Sequence, residues 1–142
     1  MLKHSFEFQD NKAIHKIKDK DLTFTGIAIC HSNDEDFKSE RTGGAIAEAR
    51  AHIHYLQHKK NCELKSQLKI LTHLITNIQN SKNHNPKSYE FARILSQKKA
   101  IEREIEAVSQ EIAEQKESLK TYIDEKDKLY KRLRAKKDKD NH

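Results

Sequence analysis

The chain has 142 residues, with 28 Lys and Arg against 22 Asp and Glu, a formal charge of +6. Hydrophobic and charged residues each make up 35%, against roughly 45–50% apolar in an ordinary globular domain. This disfavours a large compact core and favours helices with narrow apolar seams, which need only two apolar positions in seven. Three glycines and one proline supply too few turns for a many-stranded barrel or sandwich, and no apolar run approaches the ~20 residues of a membrane span.

Residues 1–31 read as strands. Phe6 and Phe8 alternate in HSFEF, DNK at 10–12 is a turn signal, AIHKIK carries Ile14 and Ile17, and KDKD at 18–21 is a second turn. LTFTGIAIC follows, with Leu22 and Phe24 on one face and Ile27 and Ile29 on the other, so the apolar parity flips at Gly26. A glycine there marks a bulge or the close approach of another backbone, and Gly26 is read as accommodating a bulge. The prediction is a three-stranded antiparallel meander, or a hairpin with a ragged first strand. A polar, acidic loop over 31–42 leads to Gly43 and Gly44, which are read as permitting a close turn and tight helix–sheet packing.

A first helix is predicted over 44–79, with apolar positions Ile46, Ala49, Ile53 and Leu56, then Leu64, Leu68, Leu71, Ile75 and Ile78. The spacing slips between Leu56 and Leu64, where Lys60 and Asn61 occupy the seam, so a stutter or local unwinding is expected. The stretch 80–86 breaks the helix, and Asn85-Pro86 reads as N-cap and first helical residue. A second helix is predicted over 86–135. Its seam runs Phe91, Ile94, Lys98, Ile101, Ile105, Val108, Ile112, Gln115, Leu119, Tyr122, Lys126, Leu129 and Leu133 in alternating steps of three and four, a sustained heptad pattern.

The short connection favours an antiparallel hairpin. Basic residues dominate 41–80 and acidic residues dominate 101–125, so Arg50, Lys59, Lys60 and Lys65 are expected alongside the glutamate-rich stretch Glu102–Glu117. Such complementarity selects pairing and orientation more than it stabilises. The basic end of the second helix is expected near the acidic loop of Asp34, Glu35, Asp36 and Glu40. The fold class is α+β: a small N-terminal antiparallel β-sheet head over 1–43, a long antiparallel helical hairpin (a coiled coil) over 44–135, and a charged tail over 136–142.

The chemical signals are sparse. Cys30-His31, or Ser32 near His52, would be the nucleophile candidates, yet no nucleophile elbow, paired-carboxylate cleft or phosphate-cradling loop accompanies them. His54, His58 and Cys62 are four apart and would share one helical face, but they match no C-x-x-C or H-E-x-x-H pattern. No metal, no cofactor and no enzymatic activity are therefore expected. With no secretory signal at the start, the two cysteines read as reduced thiols and the location as the cytoplasm of a bacterial cell. Basic clusters are the stronger lead. One is Lys69, Lys82, Lys87, Arg93, Lys98 and Lys99 around the hairpin tip. The other holds Lys131, Arg132 and Arg134 near the C-terminus. Both suit a polyanion or an acidic protein surface.

Abundant Ile and Lys with little Val and Arg suggests a low-GC bacterium or one of its phages. The stretch holding Gly26, Ala28 and Cys30, then Asp36 and Phe37, then Gly43 or Gly44 with Ile46, Ala47, Arg50 and Ala51 resembles small phage-encoded proteins of unassigned function. Their strand ends in G-x-A-x-C, an acidic loop follows, and G-x-x-I-A-x-x-R-A opens a helix. A similar unit occurs in bacterial domains with a double-stranded-RNA-binding-like fold. The resemblance spans under a quarter of the chain and implies a sheet-plus-helix head and a phage origin, without an activity. The leading expectation is a non-catalytic binder that modulates or inhibits a host protein, such as a defence nuclease or a nucleic-acid-processing enzyme. A nucleic-acid binder using the basic tip and tail is the second reading. A self-assembling protein, homodimeric through the second helix, is the third.

Overall fold

The computed structural model describes residues 2–29, 40–81, 85 and 88–140. Three strands come first: β1 (Lys3–Gln9), β2 (Lys12–Asp19) and β3 (Leu22–Ile29). They form one antiparallel sheet in the order β1-β2-β3. Helix α1 (Glu40–His58) follows, then a π-helical segment (Lys59–Leu64), α2 (Lys65–Gln79) and the 52-residue α3 (Tyr89–Asp140). The protein is thus α+β, a small sheet followed by a long helical region. It divides into two compact units, one of Met1–Tyr55 with Ala113–His142 and the other of Leu56–Ile112.

Both hairpin loops have two residues. Gln9 pairs with Lys12 and Asp19 with Leu22, and the first loop residue of each, Asp10 and Lys20, sits at positive φ (55° and 56°). Positive φ at that position is the mark of the hairpin turns whose twist matches that of the strands. The β2–β3 register is one-to-one from Lys12↔Ile29 to Asp19↔Leu22, so Gly26 carries no bulge.

The reason for Gly26 is the approach of α1. A Cβ on Gly26 would collide with the Ala47 carbonyl oxygen and the Ala51 backbone nitrogen. Gly43, Ala47 and Ala51 recur at every fourth residue and form a small-residue stripe along one helix face. Ala13, Ala28 and Ala47 form a buried cluster, with Phe8 and Ile46 packed against it. The sheet therefore buries the face carrying Ala13, His15, Ile17, Gly26 and Ala28, while Ile27 and Ile29 stay exposed. Small residues win the covered face because only they let a helix backbone lie this close.

Gly43 and Gly44 do not form a turn ahead of the helix, as the sequence suggested. The helix starts at Glu40 and contains both. A Cβ on Gly43 would lie 3.0 Å from the Ala13 Cβ, and one on Gly44 3.2 Å from the Phe6 ring, so both serve packing. Two polar side chains of α1 also reach the sheet. Arg50 donates to the Ile27 carbonyl at 2.6 Å, and the His54 Nδ1–H to the Thr25 carbonyl at 2.9 Å. Among the described residues strand β3 is an edge, and these contacts occupy edge carbonyls that would otherwise be open to another strand.

The slip between Leu56 and Leu64 coincides with the π-helical segment, in which the Lys65 N–H donates to the Lys60 carbonyl, five residues back. The wider turn absorbs the phase error and brings Leu64 to a buried position. In α3, every seam position from Phe91 to Leu129 is buried or half-buried, and Phe91, Val108 and Ile112 are the deepest. The helix runs on to Asp140, past the expected end at residue 135. Its N-cap is Ser88, not Asn85: the Ser88 Oγ accepts the Phe91 N–H at 3.2 Å, and the Ser88 N–H donates to the Asn85 carbonyl at 3.0 Å. Ser88→Ala is expected to lower stability by about 1 kcal/mol, as measured by urea unfolding.

Candidate functional site

The most concentrated set of chemically competent side chains lies where β1, β2 and α1 meet. His4 pairs with Ile17 across the β1–β2 ladder and Phe6 with His15. His4 and His15 are therefore diagonal neighbours on the helix-facing side of the sheet. Their rings meet edge to face at 5.2 Å between centroids, and His4 Nδ1 lies 2.9 Å from His15 Nε2, one ring donating and the other accepting. Glu48 stands on α1 one turn after Gly44. Its carboxylate and the two imidazoles place one ligand atom each within 4.8 Å of one another, the single such histidine, cysteine or carboxylate group among the described residues. Gly44 leaves room for the Phe6 ring. A cleft of about 520 Å³ opens here, lined by Phe6, His15, Arg41, Gly44, Ala45 and Glu48.

His15 is only 8% exposed and is the one buried polar or charged residue among those described. Burial pushes its pKa below the usual 6.5, the Glu48 carboxylate opposes this, and His4 adds a further downward push. In the window below about 6.5 the unfolded chain binds more protons than the folded one. The stability contributed by neutral His15 is complete above that value and is lost as the pH falls through the depressed folded pKa. Urea melts in chelator-treated buffer at about pH 7.5 and about pH 5.5 are expected to show this loss. It should shrink in His15→Gln and grow in Glu48→Gln, which removes the opposing charge.

Sequence reasoning overlooked His4, His15 and Glu48 because they lie on three different elements with no motif spacing. The usable signal was parity. With the loop placed at Asp10-Asn11, His4 and His15 fall on the same face as Phe6 and Phe8. The metal set considered from spacing, His54, His58 and Cys62, assumed an unbroken α-helix. The π-helical ladder from Lys59 removes Cys62 from that register, and His54 Nδ1 is engaged with Thr25. Cys30, His31, Ser32 and the acidic residues Asp34, Glu35 and Asp36 lie outside the described residues, as does the expected contact of that loop with the basic end of α3.

The basic residues singled out from sequence are distributed over different parts of the chain. Lys82 and Lys87 lie outside the described residues. Lys69, Arg93, Lys98 and Lys99 belong to the unit Leu56–Ile112, and Lys131, Arg132 and Arg134 to the other. Lys98 is half-buried in the α3 seam and pairs with Glu102 at 3.6 Å, which reduces its availability. Lys69 lines a shallow groove along α2 with Lys65, Leu68, Thr72, His73 and Thr76. A second groove, of about 420 Å³, is walled by Gln67, Ile70 and Leu71 of α2 and Gln97, Ala100 and Ile101 of α3.

Comparison with protein-family models, with curated proteins and with solved structures finds no match. No helix among the described residues is long and apolar enough to cross a membrane.

Proposed function

We propose that the chain binds a macromolecule without catalysing a reaction on it, and that the partner is a protein. The observation that carries this reading is the α2 flank. Ile70 is 61% exposed and Leu74 43%. They are one helical turn apart, and Ile70 borders the largely apolar groove between α2 and α3. Contiguous exposed apolar surface of this kind marks interaction sites, and a helix flank with anchors four residues apart is a recurring mode of protein recognition.

An antiparallel hairpin is the frame we infer for this flank. Lys59 meets Glu104 at 3.4 Å, while residues 67–71, further along the chain, share a groove with residues 97–101, earlier in α3. One element advances as the other retreats, which supports antiparallel pairing and the charge complementarity read from sequence. The ion pair is partly exposed on both sides and serves orientation more than stability. The low-GC composition and the resemblance to phage-encoded proteins support a host protein as the partner, modulated or inhibited by occupation of its surface.

A nucleic-acid partner is the second reading, favoured by the groove that holds Lys65, Lys69 and His73 together. A tagged pull-down from low-GC bacterial lysate, with and without nuclease, separates the two. A dominant protein retained after nuclease is the expected result. Loss of all partners after nuclease, with nucleic acid recovered in its absence and binding falling steeply with salt, would overturn the first reading in favour of the second.

A further inference from the structure

We propose that His4, His15 and Glu48 form a binding site for a divalent transition metal of the zinc class, with a fourth coordination position open to the cleft beside Phe6 and Arg41. Two imidazoles and one carboxylate are a donor set that three-ligand zinc sites use, with water in the remaining position. Imidazole donors select zinc, copper or nickel over magnesium and calcium. The three ligand atoms already lie within 4.8 Å of one another, so most of the entropy of gathering them is lost when the sheet and α1 fold.

The adjustments that a metal requires are small and fall on the side chains free to make them. Tetrahedral coordination at Zn–N of 2.0–2.1 Å sets donor atoms about 3.3 Å apart. The imidazole nitrogens are 2.9 Å apart, so the rings must separate by a few tenths of an ångström and turn until both lone pairs converge on the metal. His15 is fixed by burial, whereas His4 and Glu48 are exposed and supply the movement. The ring that donates in the metal-free pair shifts its proton to its other nitrogen, which frees both facing lone pairs for the metal. Burial already favours neutral His15, the form that ligates. Arg41 brings a positive charge to the same cleft and favours a small anion as fourth ligand. Bound metal would tie β1, β2 and α1 together at one point, so occupancy should report on the stability of the sheet–helix junction.

The test uses the untagged full chain carrying Cys62→Ser, because Cys62 is an exposed free thiol that would compete for metal. Co²⁺ titration read by visible absorption and Zn²⁺ competition against a chromophoric chelator are run on this protein and on its His4→Ala and Glu48→Gln derivatives. Both replaced residues are exposed, so the fold is expected to survive. The expected result is saturation at one equivalent with the intense bands of tetrahedral Co²⁺, at least tenfold weaker binding in each derivative, and a Zn²⁺-dependent rise in Tm confined to the parent. Failure of the parent to saturate at one equivalent would overturn the site. Equal binding by parent and derivatives would overturn it too, by assigning the metal to other histidines. Weakening in His4→Ala with Glu48→Gln unaffected would overturn the three-ligand set.

Discussion

Gly26→Ala is expected to destabilise the protein by about 3 kcal/mol or more, at the upper end of what overpacking usually costs. The added methyl would meet the Ala47 carbonyl oxygen and the Ala51 nitrogen. Both are helix backbone, so no rotamer change removes the collision and α1 must shift away from the sheet. That shift opens the buried cluster of Ala13, Ala28 and Ala47 and strains the Arg50 and His54 contacts to β3. Against a total stability of about 5–15 kcal/mol for a typical domain, the loss is large. Gly44→Ala is the internal control. Its new methyl would meet only the Phe6 ring at 3.2 Å, and that ring is 45% exposed and can swing aside. Replacing a helical glycine then gains up to about 1 kcal/mol. Urea unfolding followed by far-UV circular dichroism reads both, and equal midpoints for the two variants would contradict the close helix–sheet contact.

Phe91→Ala carries the second large effect, a loss of about 3–5 kcal/mol. Phe91 is 5% exposed and opens the apolar seam of α3 in the unit Leu56–Ile112. Its N–H is fixed by the Ser88 Oγ, so the ring enters the core at a position set by the helix cap and the site cannot readily collapse around the lost volume. Tyr89, two residues earlier and 80% exposed, should tolerate alanine to within about 0.5 kcal/mol. Hydrogen exchange resolves where the loss falls. In Phe91→Ala, amides of α2 and the first half of α3 should exchange faster, with smaller changes in β1–β3.

These two sites also show how far the sequence could be read. The α3 seam was legible because a sustained heptad pattern is redundant: Lys98, Gln115 and Lys126 interrupt it without hiding the period. The strand meander was legible from its turn chemistry, and the phase slip before Leu64 pointed to the place where the helix widens into π geometry. The covered face of β3 was not legible. Hydrophobicity favours burying Ile27 and Ile29, yet the helix covers Gly26 and Ala28, because interhelical-scale closeness to a backbone rewards absence of side chain over apolar area. The same closeness places Gly43 and Gly44 inside α1, where propensity alone would put them at its start. The His4, His15 and Glu48 cluster was hidden for a different reason. It exists only once hairpin register and helix docking are both fixed, and neither is written in a local spacing.

The edge of the sheet bears on assembly. Arg50 and His54 occupy the Ile27 and Thr25 carbonyls, which discourages strand addition at β3 and leaves the helical flank as the better candidate for a partner. The most direct measurement is the retention of a nuclease-resistant protein from lysate by the wild-type chain and by the Ile70→Asp, Leu74→Asp double variant, with Tm recorded for both. Wild type should retain a defined partner at fixed stoichiometry. The double variant should lose it at least tenfold with Tm unchanged, because both replaced side chains are exposed. Equal retention by the double variant, or no protein held by wild type, would contradict the assignment of this flank as a protein-binding surface.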